Sequence, residues 1–402
     1  MSQRIFVTGL GIISSIGKNV EENFQALLQG KTGIGKPEIV ETAHREIPVC
    51  EIKLEDKQLV EMAGVPLGKG FTRTATLGLI ATQEAIRSAG LSDNEINASA
   101  FISATSTGGV RELEKYFFEL QGDDVLGPWQ EFRDTANPGE HAERIADWLA
   151  IKQYIGTVST ACSSAANDVM LGAQMITHKS VGRVICGGTE ALSRFTIDGF
   201  NSLFILDNRH CRPFDQERKG LNLGEGAAYL VLESEQSVSQ SGRKPVAELR
   251  GYGNANDSFH QTASSPEGTG AWLAMRGALR SAGVESSQIG YINAHGTATE
   301  SNDLSEGLAI QKIFGDKPPP FSSTKPYTGH TLAAAGSIEA AYSILAIQHG
   351  VILPNLNFNL PMKELTIVPA TKLIDHVILD YVLSNSFGFG GNTSSLLLGA
   401  VK

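Results

Sequence analysis

The chain has 402 residues, of which 41% are hydrophobic and 19% charged, with a formal net charge of −10. That length suits two domains, or one large fused unit, at roughly 150 residues per domain, and the composition supports a large core rather than global disorder. The acidic balance argues against nucleic acid as the default partner, and no apolar run reaches the ~18 residues that a membrane span requires.

The opening RIFVTGLGII reads as a first strand. Gly9 and Gly11 interrupt the apolar run and no small-x-small cleavage site follows cleanly, so a signal peptide is the poorer reading. VEENFQALLQG reads as a short helix, and TRTATLGLIATQEAIRSAG carries helical periodicity up to Gly90. SAFISAT is a strand, and IGTVST a strand or turn that runs into the small-residue helix SSAANDVMLGAQMI. VGRVICGGTEAL reads as a strand ending in Gly187-Gly188, and AAYLVLESE as another. The alternation of strands and helices predicts an α/β protein.

AIRSAGL at 85–91 returns as ALRSAGV at 278–284. Ile96 and Ile289 keep the same spacing, and a strand then follows in each copy, FISATSTG and YINAHGTA. STACSSAANDVMLGAQMI and TGHTLAAAGSIEAAYSILAI correspond more loosely, each passing from a turn into a helix of small residues. The order predicts two copies of one α/β unit, with the two thin helices meeting at the centre. The polar, turn-rich SEQSVSQSGRKP at 234–245 marks the boundary, so the halves are taken as 1–240 and 241–402. The long loops at roughly 110–145 and 191–224 are material for a cap or a dimer surface.

None of the four cysteines belongs to a C-x-x-C pair, which leaves neither a zinc knuckle nor a thioredoxin-like motif, and a chain this long needs no disulfide scaffold. A reducing cytoplasm is expected, with no metal and no bound cofactor. Cys162 lies just before a helix, where orphan N–H groups and the positive dipole end are expected to lower the thiol pKa and raise its nucleophilicity. Cys50, Cys186 and Cys211 read as buried and inert. His295, in NAHGTATESND, follows a strand and opens a Gly/Thr loop. Lys325 and His330, in SSTKPYTGHTLAAAGSIEAA, precede the second small-residue helix, which carries Glu339. Singly, each histidine is an ordinary structural residue. Two of them, in the second copy, opposite a cysteine at the equivalent place in the first, point to a shared site. SNSFGFGGNTSS could present backbone N–H groups to an oxyanion, and it lacks both the G-x-G-x-x-G spacing and a Walker lysine.

TACSS, NAHGTAT, KPYTGHTLAAAG and SFGFGG, in this order, together with RPFDQERKGLNLGEGAA, resemble the elongating β-ketoacyl-acyl-carrier-protein synthases of the thiolase superfamily over essentially the whole chain. The resemblance implies a five-layered αβαβα fold with two pseudo-twofold-related halves. It implies acyl-carrier protein as partner and a homodimer, with a heterodimer beside a non-catalytic synthase-like subunit as the alternative. By motif position, Cys162 would carry the acyl group as a thioester. The N–H groups of Cys162 and Phe389 would form the oxyanion hole, with Phe389 also gating the acyl pocket. His295 and His330 would hold the malonyl thioester carbonyl as CO2 leaves, and Lys325 with Glu339 would order the His330 side of the site. Thr297 and Thr299 would hold the phosphopantetheine arm, and Thr107 falls where some relatives line the acyl pocket. Initiating synthases resemble Cys-His-Asn instead, and degradative thiolases use a second cysteine near the C-terminus, which this chain lacks.

The ending GFGGNTS, against the usual GFGGTN, and QYIG before the nucleophile strand depart from the pattern. GLNLGEGA and GGN look somewhat like synthases of aryl-polyene or flexirubin-type pathways. Lys69, Arg73 and Arg209 are expected at the entrance as a positive rim for the acidic carrier protein. Two other readings stand beside the condensing enzyme: a non-catalytic partner subunit, which normally lacks the nucleophile, and a different Cys/His acyltransferase or thioester hydrolase, for which the second histidine has no use.

Overall fold

The computed structural model describes residues 3–66, 70–116 and 128–402. Ten strands form its main sheet: β1 (Ile5–Ser14), β2 (Ala100–Ala104), β3 (Ile155–Gly156), β4 (Arg183–Glu190) and β5 (Gly226–Ser234), then β6 (Ala247–Asn256), β7 (Tyr291–Asn293), β8 (Phe321–Ser322), β9 (Tyr381–Phe387) and β10 (Asn392–Gly399). Their spatial order is β8-β7-β9-β10-β6-β1-β5-β4-β2-β3. That order is a mirror of itself about the β6–β1 junction. β1–β5 and β5–β4 pair antiparallel, while β4–β2 and β2–β3 pair parallel. β6–β10 and β10–β9 pair antiparallel, while β9–β7 and β7–β8 pair parallel. The half-sheets join through Phe6 opposite Glu248 and Val7 opposite Ala247.

The helices repeat the same plan. α1 (Arg73–Ala89) covers β1, β5 and β4, and α3 (Thr269–Ala282) covers β6, β10 and β9. Both end on a left-handed glycine, Gly90 at φ 62° and Gly283 at φ 65°, as the repeated AGL/AGV endings require. A Cβ on Gly11 would collide with the Ala81 carbonyl, and one on Gly253 with the Ala274 carbonyl, so glycine in β1 and in β6 lets each outer helix lie close on its strand. α2 (Ser164–Thr177) and α5 (Ala335–His349) lie between the half-sheets and touch each other, Ala166 against Gly336. The layers are therefore outer helix, half-sheet, central helix pair, half-sheet and outer helix, the thiolase-like arrangement. α5 is buried over Ala335–Ala346, which explains its apolar, small-residue sequence without an amphipathic stripe.

Three local readings shift. The strand expected to stop at Gly187-Gly188 continues to Glu190, because both glycines pair with β5. The segment 234–245 contains a short helix, Glu235–Ser241, capped by the Ser234 side chain. The loops at 110–145 and 191–224 hold short helices among their described residues, including Arg194–Ser202. No described helix is long and apolar enough to cross a membrane.

Candidate active site

Cys162 is buried immediately before α2, after Ala161, whose φ of 54° turns the chain sharply into the helix. The C-terminal loop comes up against it. A Cβ on Gly388 would stand 2.7 Å from the Thr160 carbonyl oxygen and 3.2 Å from the Cys162 nitrogen, so only glycine admits this approach. The next residue, Phe389, lines the same pocket as Cys162, and the backbone N–H groups of Phe389 and of Cys162 itself favour the thiolate.

The expected fall in the thiol pKa is not found. Burial pushes Cys162 up to about 11, against the opposing pull of the Lys325 ammonium and the two N–H groups. The helix N-terminus was legible in the sequence, whereas the depth of burial was not, and desolvation of a thiolate outweighs a dipole end. Cys50, Cys186 and Cys211 are buried free thiols, likewise raised by burial.

His295 follows β7, and its ring meets that of His330 edge-on, with centroids 5.4 Å apart at 85°. Glu306, from α4 (Glu300–Phe314), reaches back to accept the N–H groups of His295 at 2.9 Å and Gly296 at 2.8 Å. The Lys325 ammonium lies 3.2 Å from His295 Nδ1, donates to the His295 carbonyl at 2.5 Å, and pairs with Glu339. With an ammonium at Nδ1, that nitrogen accepts and Nε2 carries the proton. Burial holds both histidines well below the usual imidazole range, and Lys325 adds to the effect. Both rings are therefore neutral near pH 7 and suited to donate rather than to carry charge. Burial raises the Glu339 carboxyl to about 7, with Lys325 opposing. The His330 backbone is held by the GLNLGEGA loop, its N–H on the Asn222 carbonyl at 2.7 Å and its carbonyl on the Gly224 N–H at 3.0 Å.

Cys162, His295, His330, Phe389, Thr297 and Thr299 line one pocket. Lys325 and Glu339 stand behind it. Thr297 and Thr299 share a hydroxyl hydrogen bond of 2.9 Å. Phe389 stacks on Phe200 across the mouth, with centroids 5.7 Å apart. Thr107 does not line this pocket. Its hydroxyl is spent on Glu190 at 2.8 Å, which also accepts the N–H groups of Ser106 and Thr107. The departure at Asn392 has a use: its side-chain oxygen accepts from Ser163 at 2.7 Å and Asn167 at 2.9 Å, tying the C-terminal loop to the start of α2.

Of the three entrance cations, Arg73 is misplaced by the sequence reading. It is buried, bound to Glu225 at 2.6 Å and Asp56 at 2.8 Å, and Glu225 also accepts the N–H groups of Leu192 and Ile52. Lys69 lies outside the described residues, and Arg209 is exposed beside Asp207. Sequence reasoning missed Glu306, Glu190 and Asp303. Asp303 accepts the N–H groups of Ala298 at 3.1 Å and Phe214 at 2.7 Å. The available signal was an acidic residue inside an otherwise ordinary helix or strand end, which is too weak to single out.

Two family models match the chain: Beta-ketoacyl synthase, N-terminal domain, over residues 2–237, and Beta-ketoacyl synthase, C-terminal domain, over residues 246–359. The chain is 32% identical over 422 residues to 3-oxoacyl-[acyl-carrier-protein] synthase 2 of Vibrio cholerae serotype O1, covering 98% of each protein. Among solved structures, the ishigamide ketosynthase/chain length factor matches with a TM-score of 0.92 and 31% identity over 100% of both chains. A ketosynthase (ApeO) in complex with its chain length factor (ApeC) from Xenorhabdus doucetiae matches with a TM-score of 0.83 and 32% identity, over 99% of this chain and 98% of that one.

Proposed function

The chain belongs to the beta-ketoacyl synthase family, and on that premise we propose that it condenses acyl-carrier-protein thioesters with malonyl-acyl-carrier protein, releasing CO2 and 3-oxoacyl-acyl-carrier protein. It is an acyltransferase. The observation that carries the reading is one pocket lined by Cys162, Phe389, His295 and His330, the two imidazoles edge-on at 5.4 Å with Lys325 against His295 Nδ1.

The steps balance without a redox partner. The Cys162 sulfur attacks the acyl thioester, the N–H pair holds the carbonyl oxygen as it gains charge, and the carbon–sulfur bond to pantetheine breaks. The thiol proton ends on the released pantetheine sulfur, so this exchange consumes no net proton. Malonyl thioester then enters. As its carbon–carboxylate bond breaks, the electron pair moves to an enolate whose oxygen accepts from His295 and His330. Neutral imidazoles serve here because each offers an N–H without holding a full charge in a buried site. The enolate carbon attacks the acyl carbonyl on Cys162, the tetrahedral adduct collapses, and the cysteine leaves as a thiolate that takes up one proton from solvent, the net proton that decarboxylative condensation consumes. Lys325 and Glu339 were expected on the His330 side, but Lys325 contacts His295 instead, at its Nδ1 and its carbonyl, so the pair act as positioning residues for His295.

We assign Cys162, His295, His330, Lys325 and Phe389 these roles, with Thr297 and Thr299 along the arm of the carrier. We place the enzyme in the cytoplasm, where four unpaired buried thiols stay reduced. The subunit partner is a second sheet-edge copy or a related subunit. Among the described residues no strand lies beyond β3, whereas β8 accepts the Ala370 N–H at 2.8 Å along its outer side. The resemblance to ketosynthase–chain length factor pairs favours a related, non-catalytic mate as the second reading.

Intact-mass analysis tests the function. Acyl-carrier proteins of varied chain length should add one acyl mass at Cys162, and malonyl-carrier protein should remove it as a 3-oxoacyl product appears. No mass gain with any donor would overturn the proposal in favour of a non-catalytic subunit.

A further inference from the structure

Two aromatic side chains adjoining residues that line the Cys162 pocket face water. Phe204 is 91% exposed and Phe259 is 55% exposed. Their places in the fold are tied to the pocket wall. Phe200, on the helix Arg194–Ser202, lines the pocket and stacks on Phe389. Phe204 follows that helix directly, its N–H on the Asn201 carbonyl at 3.0 Å. The next residue, Ile205, accepts the N–H of Leu221 at 2.9 Å, and Leu221 also lines the pocket. Phe204 thus stands at the rim between two lining residues. Across the mouth, Asp257, His260 and Thr262 line the pocket, and Phe259 lies among them. That loop is fastened to the Phe389 turn, since Asp257 N–H donates to the Gly391 carbonyl and Gly390 N–H donates to the Gln261 carbonyl, both at 2.8 Å.

Neither exposure is explained by folding. A phenyl ring in water gains nothing from burial, and the backbone beneath each is held in the left-handed region that side chains disfavour: Phe204 itself at φ 57°, and Ser258, just before Phe259, at φ 49°. Strained positions that display apolar surface beside a pocket are where a partner would restore the loss.

We infer that Phe204 and Phe259 are the apolar anchors on which an acyl-carrier protein seats while its phosphopantetheine arm enters the pocket, an inference that rests on the condensing function proposed above. Any protein that threads a tethered arm through this mouth must lay its body on this rim. Two separated rings suit an amphipathic helix face, with one apolar side chain pressed to each. Two exposed cations belong to the same stretch of chain: Arg194, at the start of the helix and paired with Asp198 at 3.3 Å, and Arg209, five residues beyond Phe204 and 3.9 Å from the buried Asp207. The rim expected from sequence was a ring of charge. The structure instead offers exposed aromatic rings, with Arg194 and Arg209 in the same stretch of chain as the first, which fits an acidic carrier whose apolar residues make the contact and whose carboxylates steer it.

The test compares two donors for the same acyl group: an acyl-carrier protein and the free acyl-pantetheine thioester. The variants are Phe204→Asn, a residue that tolerates left-handed backbone, Phe259→Ser, and the double variant. The expected result is a KM for the carrier-bound substrate raised about tenfold by each change, and further by both, with kcat and the pantetheine reaction within twofold of the unchanged protein. Melting temperatures should stay level or rise. Equal losses with both donors would overturn the inference and make the rings part of the pocket wall. An unchanged KM for the carrier-bound substrate would overturn it outright. If the unchanged protein is acylated by neither donor, the condensing function itself fails, and that failure is recognisable before any variant is measured.

Discussion

In each half of the molecule, the loop after the second strand is gripped by a buried carboxylate. Glu306 holds the N–H groups of His295 and Gly296 after β7, and Glu190 holds those of Ser106 and Thr107 after β2. The grip is the same and the source differs: Glu306 comes from the following helix, Glu190 from the end of β4. In the C-terminal half the gripped loop offers an imidazole to the pocket. In the N-terminal half, Glu190 also consumes the Thr107 hydroxyl, so nothing reactive is left to offer. The turns into the central helices divide the labour the other way, with Cys162 before α2 and His330 before α5. Duplication supplied the frame twice, and the side chains assigned the nucleophile to one copy and the hydrogen-bond donors to the other.

That asymmetry can be broken at several depths. Replacing Cys162 by Ala should remove acylation entirely and lower condensation by more than about a thousandfold, read by intact mass and product formation. His295→Ala should leave Cys162 acylation within a few-fold while lowering decarboxylative condensation by about 10²–10³, the size of a lost oxyanion donor. Loss of both steps together would mean that the loop shapes the nucleophile as well. Glu306→Gln should cost about tenfold in condensation and about 1–3 kcal/mol in stability, because one of the two gripped N–H groups then faces an amide N–H.

A pH difference separates the halves further. His141 is buried in the N-terminal half, between the Ser103 hydroxyl at 2.6 Å and the Pro138 carbonyl at 2.6 Å, and burial lowers its pKa to about 4. The folded state binds its proton less readily than the unfolded chain, whose histidine titrates near 6.5. Its contribution is therefore full above about pH 6.5 and lost as pH falls toward 4. Buried carboxyls such as Glu306 and Glu339, raised to about 7, act in the opposite sense in the same window, so the test is a difference. Denaturation midpoints of the unchanged chain should fall, relative to those of His141→Gln, between pH 6.5 and 4. The smallest effect belongs to Thr107→Val, which removes one hydrogen bond to Glu190. About 1 kcal/mol of stability should go while the condensation rate stays within about twofold. A large rate loss there would return Thr107 to the acyl pocket.

Much of the site was legible because its parts are local. Cys162, His295, Lys325, His330 and Phe389 each sit in a short run that sets its own turn, and the two AGL/AGV helix ends exposed the duplication. Arg73 shows where such reading stops. Its place in the chain suggested a surface cation, whereas its guanidinium is enclosed by Glu225 and Asp56. Glu225 and Asp56 lie far from each other along the chain, and no periodicity links them.

The sequence by itself determined the alternating elements, the glycines that let each outer helix lie against its strand, and the order of the chemical motifs, since these depend on neighbours within a few turns. Only the tertiary structure decided which carboxylates grip which loops, that the thiol is raised and the imidazoles held neutral, and that Phe204 and Phe259 stay exposed. Desolvation and hydrogen bonding across the fold depend on what surrounds a group in space, and that is settled only when the two halves close on each other.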